Sequence, residues 1–186
     1  MHIISTAITG FDATVCFAAF SWGVKKHFRL TGAMPLGMKV TSLLSLVLFA
    51  AFLFHIAQGA SALWLVSLGL FTAALAVFAA AVAASRYTPP TLAFDTDAPN
   101  FLLQHGPYRY VRHPFYLAYV LFWLGTAVAV NGLLGWIAPV VMTALYIEAA
   151  SREERKFAKS DLAGAYKAYR ARAGMFWPRP LALLAG

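Results

Sequence analysis

Charged residues are scarce in this sequence. Asp, Glu, Lys and Arg together make up 12% of its 186 residues, whereas hydrophobic residues make up 61%. A soluble globular domain carries about 25% charged residues, and the mean hydropathy of this chain is +0.68. The composition excludes an ordinary soluble domain and predicts an integral membrane protein.

The sequence also contains only one cysteine and no glycine motif of the kind that binds nucleotides. The single cysteine, Cys16, excludes an intramolecular disulfide and a metal site built from several cysteines. His105 and His113 have no further ligands at metal spacing, so we expect no bound metal. The chain lacks the glycine-rich loop that follows a strand in soluble nucleotide-binding α/β folds, and this absence excludes that class.

Long apolar runs are abundant. A helix needs about 20 apolar residues to cross the hydrocarbon layer of a bilayer, and five runs approach that length. They cover residues 3–22, 40–57, 61–84, 115–130 and 133–150, and Asn131 and Gly132 form a turn signal between the last two. The sequence therefore predicts an all-α membrane protein with five transmembrane helices. Because no linker or repeat interrupts it, we expect residues 1–186 to form a single domain.

Acidic residues are few, and the basic ones are unevenly distributed. The chain has 7 acidic and 15 basic residues and a formal charge of +8. With five spans, all 15 Lys and Arg residues fall on one side of the membrane, in segments 23–39 and 85–114 and after residue 150. Because cytoplasmic loops carry such an excess, we predict an inner-membrane protein with its N-terminus outside and its C-terminus in the cytoplasm. The positive charge is then a topology signal, and we expect no nucleic-acid partner.

The charged stretch after the fifth run, residues 151–173, carries an apolar stripe. Its members, Phe157, Leu162, Tyr166 and Tyr169, recur at spacings of five, four and three residues. This pattern is typical of an amphipathic helix. We therefore predict one C-terminal amphipathic helix that lies against the membrane or against the protein itself.

The most polar stretch outside the tail precedes the fourth run and ends in HGPYRYVRHPFY, residues 105–116. Pro114 suits the first turn of a helix, so Arg112 and His113 should lie at the mouth of the fourth span. The unpaired N–H groups of a helix start and a nearby arginine together favour anion binding. The alternative is that these basic side chains only hold the helix end at the level of the lipid headgroups.

These residues follow a recognisable pattern. The chain resembles the membrane methyltransferases that include isoprenylcysteine carboxyl methyltransferases and phospholipid N-methyltransferases. Their G-x-Y-x-x-x-R-H-P-x-Y pattern corresponds here to Gly106, Tyr108, Arg112, His113, Pro114 and Tyr116. A later Glu pair, a Y-x-x-Y helix and a proline correspond to Glu153, Glu154, Tyr166, Tyr169 and Pro178. The resemblance covers about residues 100–180 and departs at Asn100 and Ala118, where family members have His and Gly.

The resemblance implies an enzyme that binds S-adenosylmethionine on the cytoplasmic side of the membrane. Its cofactor site would be formed by the start of the fourth span, the end of the fifth and the C-terminal helix. The implied cofactor-binding residues are His105, Gly106, Tyr108, Arg112, His113, Pro114, Tyr116, Glu153, Glu154 and Tyr169. Arg109 and Arg112 are the implied catalytic residues, as cations that position the acceptor.

The implied acceptor is a lipophilic small molecule or a lipidated substrate, reached from the surrounding membrane lipids. A prenylated thiol carboxylate is already a nucleophile and needs only a positioning cation. A phospholipid amine also needs a proton acceptor, such as His113 or Glu154. Two other functions fit the composition: a non-enzymatic helical module for transport or scaffolding, and a membrane reductase. The reductase is disfavoured because the short C-terminal helix offers a nicotinamide dinucleotide little surface.

Overall fold

The described part of the chain is built from α-helices. The computed structural model describes residues 2–29, 32–91, 94, 99–130 and 132–179. Its six α-helices are α1 (His2–Trp22), α2 (Leu36–Ile56), α3 (Trp64–Ser85), α4 (Pro114–Ala129), α5 (Ile137–Ala158) and α6 (Ala163–Arg172). Within these described residues there is no β-strand, only two isolated β-bridges. The all-helical fold class predicted from the sequence is confirmed.

Within the described part of the chain, four helical segments are long and apolar enough to cross a bilayer. They run over Ile3–His27, Leu36–Ile56, Trp64–Ser85 and Leu133–Ala158, and each has 21 to 26 residues. Only 17–28% of their most apolar windows is buried inside the protein, and the exposed remainder includes many large apolar side chains. Apolar surface of this extent is stable only against lipid. The chain is an integral membrane protein.

The helix predicted as the fourth span differs from the other four. α4 has 16 residues, so it is about 24 Å long, shorter than the hydrocarbon layer of about 30 Å. Twelve of those 16 residues are buried, because α1, α3 and α5 all pack against this helix. Its far end is fixed by Ser61, whose backbone N–H donates to the carbonyl of Ala129 over 2.9 Å. α4 is therefore the central helix of the bundle rather than a lipid-facing span.

Close contact between α3 and α4 depends on a glycine. A Cβ atom on Gly125 would lie 2.6 Å from a ring carbon of Phe71, which is too close for any side chain to be added. Phe71 is almost fully buried and packs against Phe122 with ring centroids 5.7 Å apart. Small residues that allow neighbouring helices to approach are typical of membrane bundles. This packing fixes the position of α4 and hence of the residues at its start.

The C-terminal region differs from the single helix that the sequence predicts over residues 151–173. α5 continues to Ala158, so Glu153 and Glu154 belong to the end of the fifth predicted span. A break at residues 159–162 then separates α5 from α6. The apolar stripe still packs together, since the rings of Phe157 and Tyr166 stack at 4.6 Å across the break. Hydropathy falls after residue 150, but the polar residues that follow are good helix formers, so the helix outlasts its apolar run.

Two further features of the predicted spans can be compared with the structure: Asp12 in the first span and the turn before the fifth. Asp12, a carboxylate within the first predicted span, lies near the middle of α1, which begins at His2. Of the two residues that form the turn signal between the last two spans, the structure describes only Gly132. Gly132 has a φ of +104°, the left-handed region that favours glycine, whereas Asn131 lies outside the described residues.

Candidate active site

The motif loop and the chain after α6 are held together by backbone hydrogen bonds. Val111 and Gly174 form a parallel bridge. The N–H of Gly174 donates to the carbonyl of Tyr110 over 3.1 Å, and the N–H of Arg112 donates to the carbonyl of Gly174 over 2.8 Å. The N–H of His113 donates to the carbonyl of Met175 over 3.1 Å. The structure therefore joins the two separated motifs at one end of the bundle.

A substitution at Gly174 tests whether this bridge stabilises the fold. A Cβ atom at this position would lie 1.7 Å from the carbonyl oxygen of Trp177, so we expect Gly174→Ala to displace the bridge and to destabilise the fold by about 1–3 kcal/mol. Gly164 is the matched control because nothing lies within 4 Å of its added Cβ atom. Thermal unfolding in detergent should show a lower midpoint for Gly174→Ala and none of this loss for Gly164→Ala. Equal midpoints would contradict the role of the bridge.

A buried ion pair lies directly behind the bridge. The Nε and Nη2 atoms of Arg112 are 2.9 Å and 2.8 Å from Oε1 of Glu154, and both side chains are almost fully buried. Nη1 of Arg112 donates to the carbonyl of Ala173, so all three nitrogens of the guanidinium have partners within the protein. On the other side, Nε of Arg170 is 3.6 Å from Oε2 of Glu154. The pair ties α5 to the start of α4 and to the end of α6.

Glu153 and Glu154 have different environments although they are neighbours in the sequence. Consecutive residues of a helix point about 100° apart, and only Glu153 lines the cavity described below. The hydroxyl of Tyr116 donates to Oε1 of Glu153 over 2.5 Å, and Nδ1 of His113 is 3.5 Å from Oε2. Glu154 is instead neutralised by Arg112. The carboxylate that a ligand can reach is therefore Glu153.

His113 bridges the two glutamates. Its Nε2 atom is 3.2 Å from Oε1 of Glu154, and its Nδ1 atom faces Glu153. Burial of the imidazole lowers its pKa, but hydrogen bonds to Glu153 and Glu154 and the charges of both carboxylates outweigh burial and raise the pKa above its ordinary value of 6.5. The two carboxylates therefore stabilise the protonated imidazole of His113 more than burial destabilises it.

The raised pKa of His113 predicts a pH-dependent stability. A pKa that is higher in the folded than in the unfolded state stabilises the fold fully below the ordinary value of 6.5, and this contribution is lost as pH rises through the folded value. The midpoint of thermal unfolding in detergent should therefore fall from about pH 6 towards alkaline pH. In His113→Asn, which keeps hydrogen bonding without the titration, the fall should be smaller. Parallel pH profiles for the two proteins would contradict the prediction.

A cavity of about 330 Å³ opens beside these polar residues. Its polar end is formed by Tyr108, Arg112, His113, Tyr116 and Glu153. The rest of its wall is largely aromatic and aliphatic and continues inward along α4. A concave, mostly apolar pocket with a few convergent polar groups is the usual form of a small-molecule site. These five predicted site residues therefore adjoin a space large enough for a ligand.

Part of the cavity wall was not anticipated from the sequence. α1 contributes Phe17 and Phe20, and α2 contributes Thr41, Ser42 and Ser45. The three hydroxyl residues follow one another within two turns of an otherwise apolar helix, so they were a visible signal on one helix face. The two aromatic residues gave no such signal, because phenylalanine is common in any membrane span.

Three tyrosines form the inner part of this wall. The rings of Tyr116 and Tyr146 stack at 5.7 Å, and Tyr119 lies 6.3 Å and 5.5 Å from these two rings. All three residues line the cavity. Tyr119 and Tyr146 lie outside the motifs that carry the resemblance, so the sequence did not single them out. Their electron-rich faces favour a cationic ligand group.

Tyr169 contacts the backbone of the motif loop on the side away from the cavity. Its hydroxyl donates to the carbonyl of Tyr108 over 2.6 Å, while the side chain of Tyr108 lines the cavity. Burial raises the pKa of the Tyr108 phenol, so this residue stays neutral at physiological pH. Tyr169 does not line the cavity, and its contact fixes the loop that carries Tyr108.

The residues between α2 and the break after α5 match a known family. The family model described as phospholipid methyltransferase matches residues 57–161, more than half of the chain. The chain belongs to the phospholipid methyltransferase family. The match contains the motif loop, α4 and both glutamates, and it confirms the resemblance inferred from the motifs. The comparisons with curated proteins and with solved structures returned no match.

Other predicted site residues of this family member lie away from the cavity. His105 is exposed, and its Nε2 atom is 2.8 Å from the carbonyl of Ala84. Gly106 has a φ of +57°, and an added Cβ would lie 3.0 Å from the Cβ of Ala84. Arg109 is exposed, with its guanidinium 5.8 Å from the centroid of the Tyr110 ring. His105 and Gly106 therefore hold the motif loop against α3.

Of the two remaining residues that the sequence singles out, Asn100 and Pro114, only Pro114 lines the cavity. Asn100, one of the two positions at which the chain departs from the pattern of the resemblance, is exposed. Pro114 lines the cavity at the first position of α4, as the sequence predicts. Among the residues that the structure describes, no group of three or more His, Cys, Asp or Glu side chains is arranged to hold a metal ion.

Proposed function

We propose that the protein transfers a methyl group from S-adenosylmethionine to a lipophilic amine at the cytoplasmic face of the inner membrane. The observation that carries this proposal is the position of Glu153, an accessible carboxylate at the junction of a polar mouth and a tyrosine-lined cavity. The proposed topology has five crossings, with the N-terminus outside and the C-terminus in the cytoplasm. The short α4 then makes its crossing inside the bundle.

The cavity contains the groups that this cofactor needs. S-adenosylmethionine supplies a sulfonium methyl group that a nucleophile can displace. Glu153 and the ring of Tyr116 suit its cationic atoms, while Lys25 and His113 suit its carboxylate. All four residues line the cavity. In this proposal Arg112 and Glu154 act by fixing the start of α4 and the end of α5.

Charge at the cavity supports an amine rather than a carboxylate acceptor. An acceptor carboxylate needs a cation of its own. Arg112 is already neutralised by Glu154, Arg109 does not line the cavity, and in this proposal Lys25 and His113 bind the carboxylate of the cofactor. Glu153 would repel a second carboxylate, whereas it attracts an ammonium group and accepts a proton from it. The aromatic faces of the three tyrosines add to the same preference.

The cavity wall also suggests how a lipid reaches the site. Part of that wall comes from α1 and α2, two helices whose remaining surfaces are largely apolar and exposed. A lipophilic acceptor that enters between these helices keeps its apolar tail out of water, which saves about 0.8 kcal/mol for each CH₂ group. The reacting head then meets the polar end of the cavity.

Binding and transfer assays test the proposed function. Calorimetric titration of the purified protein in detergent should detect S-adenosylmethionine but not a nicotinamide dinucleotide. The protein in lipid nanodiscs should then methylate an ethanolamine phospholipid and not a prenylated cysteine carboxylate. Binding of the dinucleotide alone would favour the reductase, and binding of neither cofactor would favour the non-enzymatic module. Methylation of the carboxylate alone would keep the enzyme class and overturn the amine.

A further inference from the structure

One hydroxyl in the tyrosine-lined wall has no hydrogen-bond partner within the described ranges of the chain. The hydroxyl of Tyr116 donates to Glu153, and the hydroxyl of Tyr146 accepts a hydrogen bond from Nε1 of Trp123 over 3.0 Å. The hydroxyl of Tyr119 is buried and has no hydrogen-bond partner among the residues that the structure describes. Because buried polar groups are nearly always hydrogen-bonded, an unpaired hydroxyl in a cavity wall indicates a contact that a ligand completes.

The surroundings of Tyr119 restrict the ligand. Its ring lies 4.8 Å from that of Phe20 and 6.4 Å from that of Phe78, in addition to the two tyrosine contacts. Tyr119 follows Tyr116 by three residues, almost one turn further from the charged mouth. The hydroxyls and carboxylate of a nucleotide cofactor require the charged mouth. The ligand at Tyr119 is therefore a small polar head attached to an apolar molecule, as in a lipid acceptor.

We propose that the Tyr119 hydroxyl accepts a hydrogen bond from an N–H group of the acceptor amine and thereby orients the nitrogen lone pair. This inference rests on the proposed function. In the reaction the lone pair forms the new N–C bond while the C–S bond breaks. The bonding pair leaves on sulfur, which changes from a sulfonium to a neutral thioether. The proton that nitrogen loses passes to the carboxylate of Glu153.

The proposed hydrogen bond depends on how many methyl groups the amine already carries. A neutral primary amine has two N–H groups, a secondary amine has one, and a tertiary amine has none. Tyr119 should therefore assist the first and second methyl transfers but not the third. A tyrosine that only fills space would affect all three transfers equally.

The variant Tyr119→Phe separates these cases. The value of kcat/KM should be measured with an ethanolamine phospholipid and with its N-methyl and N,N-dimethyl derivatives. We expect a loss of about tenfold for the first two acceptors, the usual effect of removing one ligand hydrogen bond, and an unchanged value for the third. Ser67→Ala is the matched control, because this buried hydroxyl on α3 also has no partner among the described residues and does not line the cavity.

Each outcome of this experiment has a definite meaning. Selective loss with primary and secondary amines in Tyr119→Phe, and none in Ser67→Ala, supports the proposal. Equal loss with all three acceptors, or a weaker affinity for S-adenosylmethionine in Tyr119→Phe, overturns the role of Tyr119 and leaves the proposed function intact. If the wild-type protein methylates none of the three acceptors, the proposed amine substrate and the role of Tyr119 both fail.

Discussion

Arg112→Ala is expected to lose about 3–5 kcal/mol of folding stability, together with most of the affinity for S-adenosylmethionine. The substitution leaves the carboxylate of Glu154, of which only 7% is exposed, without its main cation. Breaking a buried ion pair in this way is strongly destabilising. It also removes the hydrogen bond from Nη1 to the carbonyl of Ala173, so the segment after α6 loses a second tie to the motif loop. Thermal unfolding and calorimetric titration measure the two effects.

Two variants show whether the unpaired carboxylate causes this loss. The double variant Arg112→Met/Glu154→Leu removes both charges and should regain much of the stability, because apolar replacements of buried pairs are often neutral. Arg155→Ala removes an exposed arginine from the same helix as Glu154 and should change stability by less than about 0.5 kcal/mol. A double variant no more stable than Arg112→Ala would show that the ion pair is not the source of the loss.

Glu153→Gln is expected to reduce kcat for methyl transfer to a primary amine by about 100-fold or more. The amide keeps the shape of the side chain and can still accept the hydrogen bond from Tyr116. It cannot accept a proton from the acceptor nitrogen, and it removes the negative charge that favours an ammonium group. The midpoint of thermal unfolding should change little, because Glu153 is partly exposed, with 30% of its side chain accessible.

Glu148→Gln is the matched control for Glu153→Gln. Glu148 lies on the same helix but is exposed and pairs with Arg152 at 2.6 Å. An exposed pair of this kind contributes about 0–1 kcal/mol, so the variant should retain wild-type transfer rates and nearly wild-type stability. Should Glu153→Gln also retain the wild-type kcat, then another group takes the proton and the proposed role of Glu153 fails.

Local features of the chain were predicted well from the sequence. Each apolar run became a helix, because both hydropathy and helix length depend on consecutive residues. The bounds of the first four are close to those predicted, whereas the fifth helix ends eight residues later than its run, at Ala158. Pro114 begins α4 because a proline at the first helical position needs no hydrogen-bond donor. The break between α5 and α6 was missed, since the apolar stripe through Phe157 and Tyr166 continues across it. An apolar stripe indicates which residues are buried. It does not show whether they all belong to one continuous helix.

The site itself was predicted only in part. The motif loop carries Arg112, His113 and Tyr116, and the resemblance adds Glu153 from a separate, later motif. The structure brings all four residues to one end of the bundle. His105 and Arg109 belong to the same twelve-residue stretch yet lie outside the cavity wall. A sequence motif reports that residues are close along the chain, whereas the direction of each side chain depends on the loop conformation and on the contacts with α3.

The sequence by itself determined that this chain lies in a membrane, that it is helical and that two polar motifs interrupt its spans, because composition and periodicity are properties of neighbouring residues. Only the tertiary structure decided that Glu154 is neutralised while Glu153 faces a cavity, and that Tyr119 has an unpaired hydroxyl there. These distinctions depend on contacts between residues more than 30 positions apart, such as the pair of Arg112 and Glu154. Such contacts form only when the helices pack.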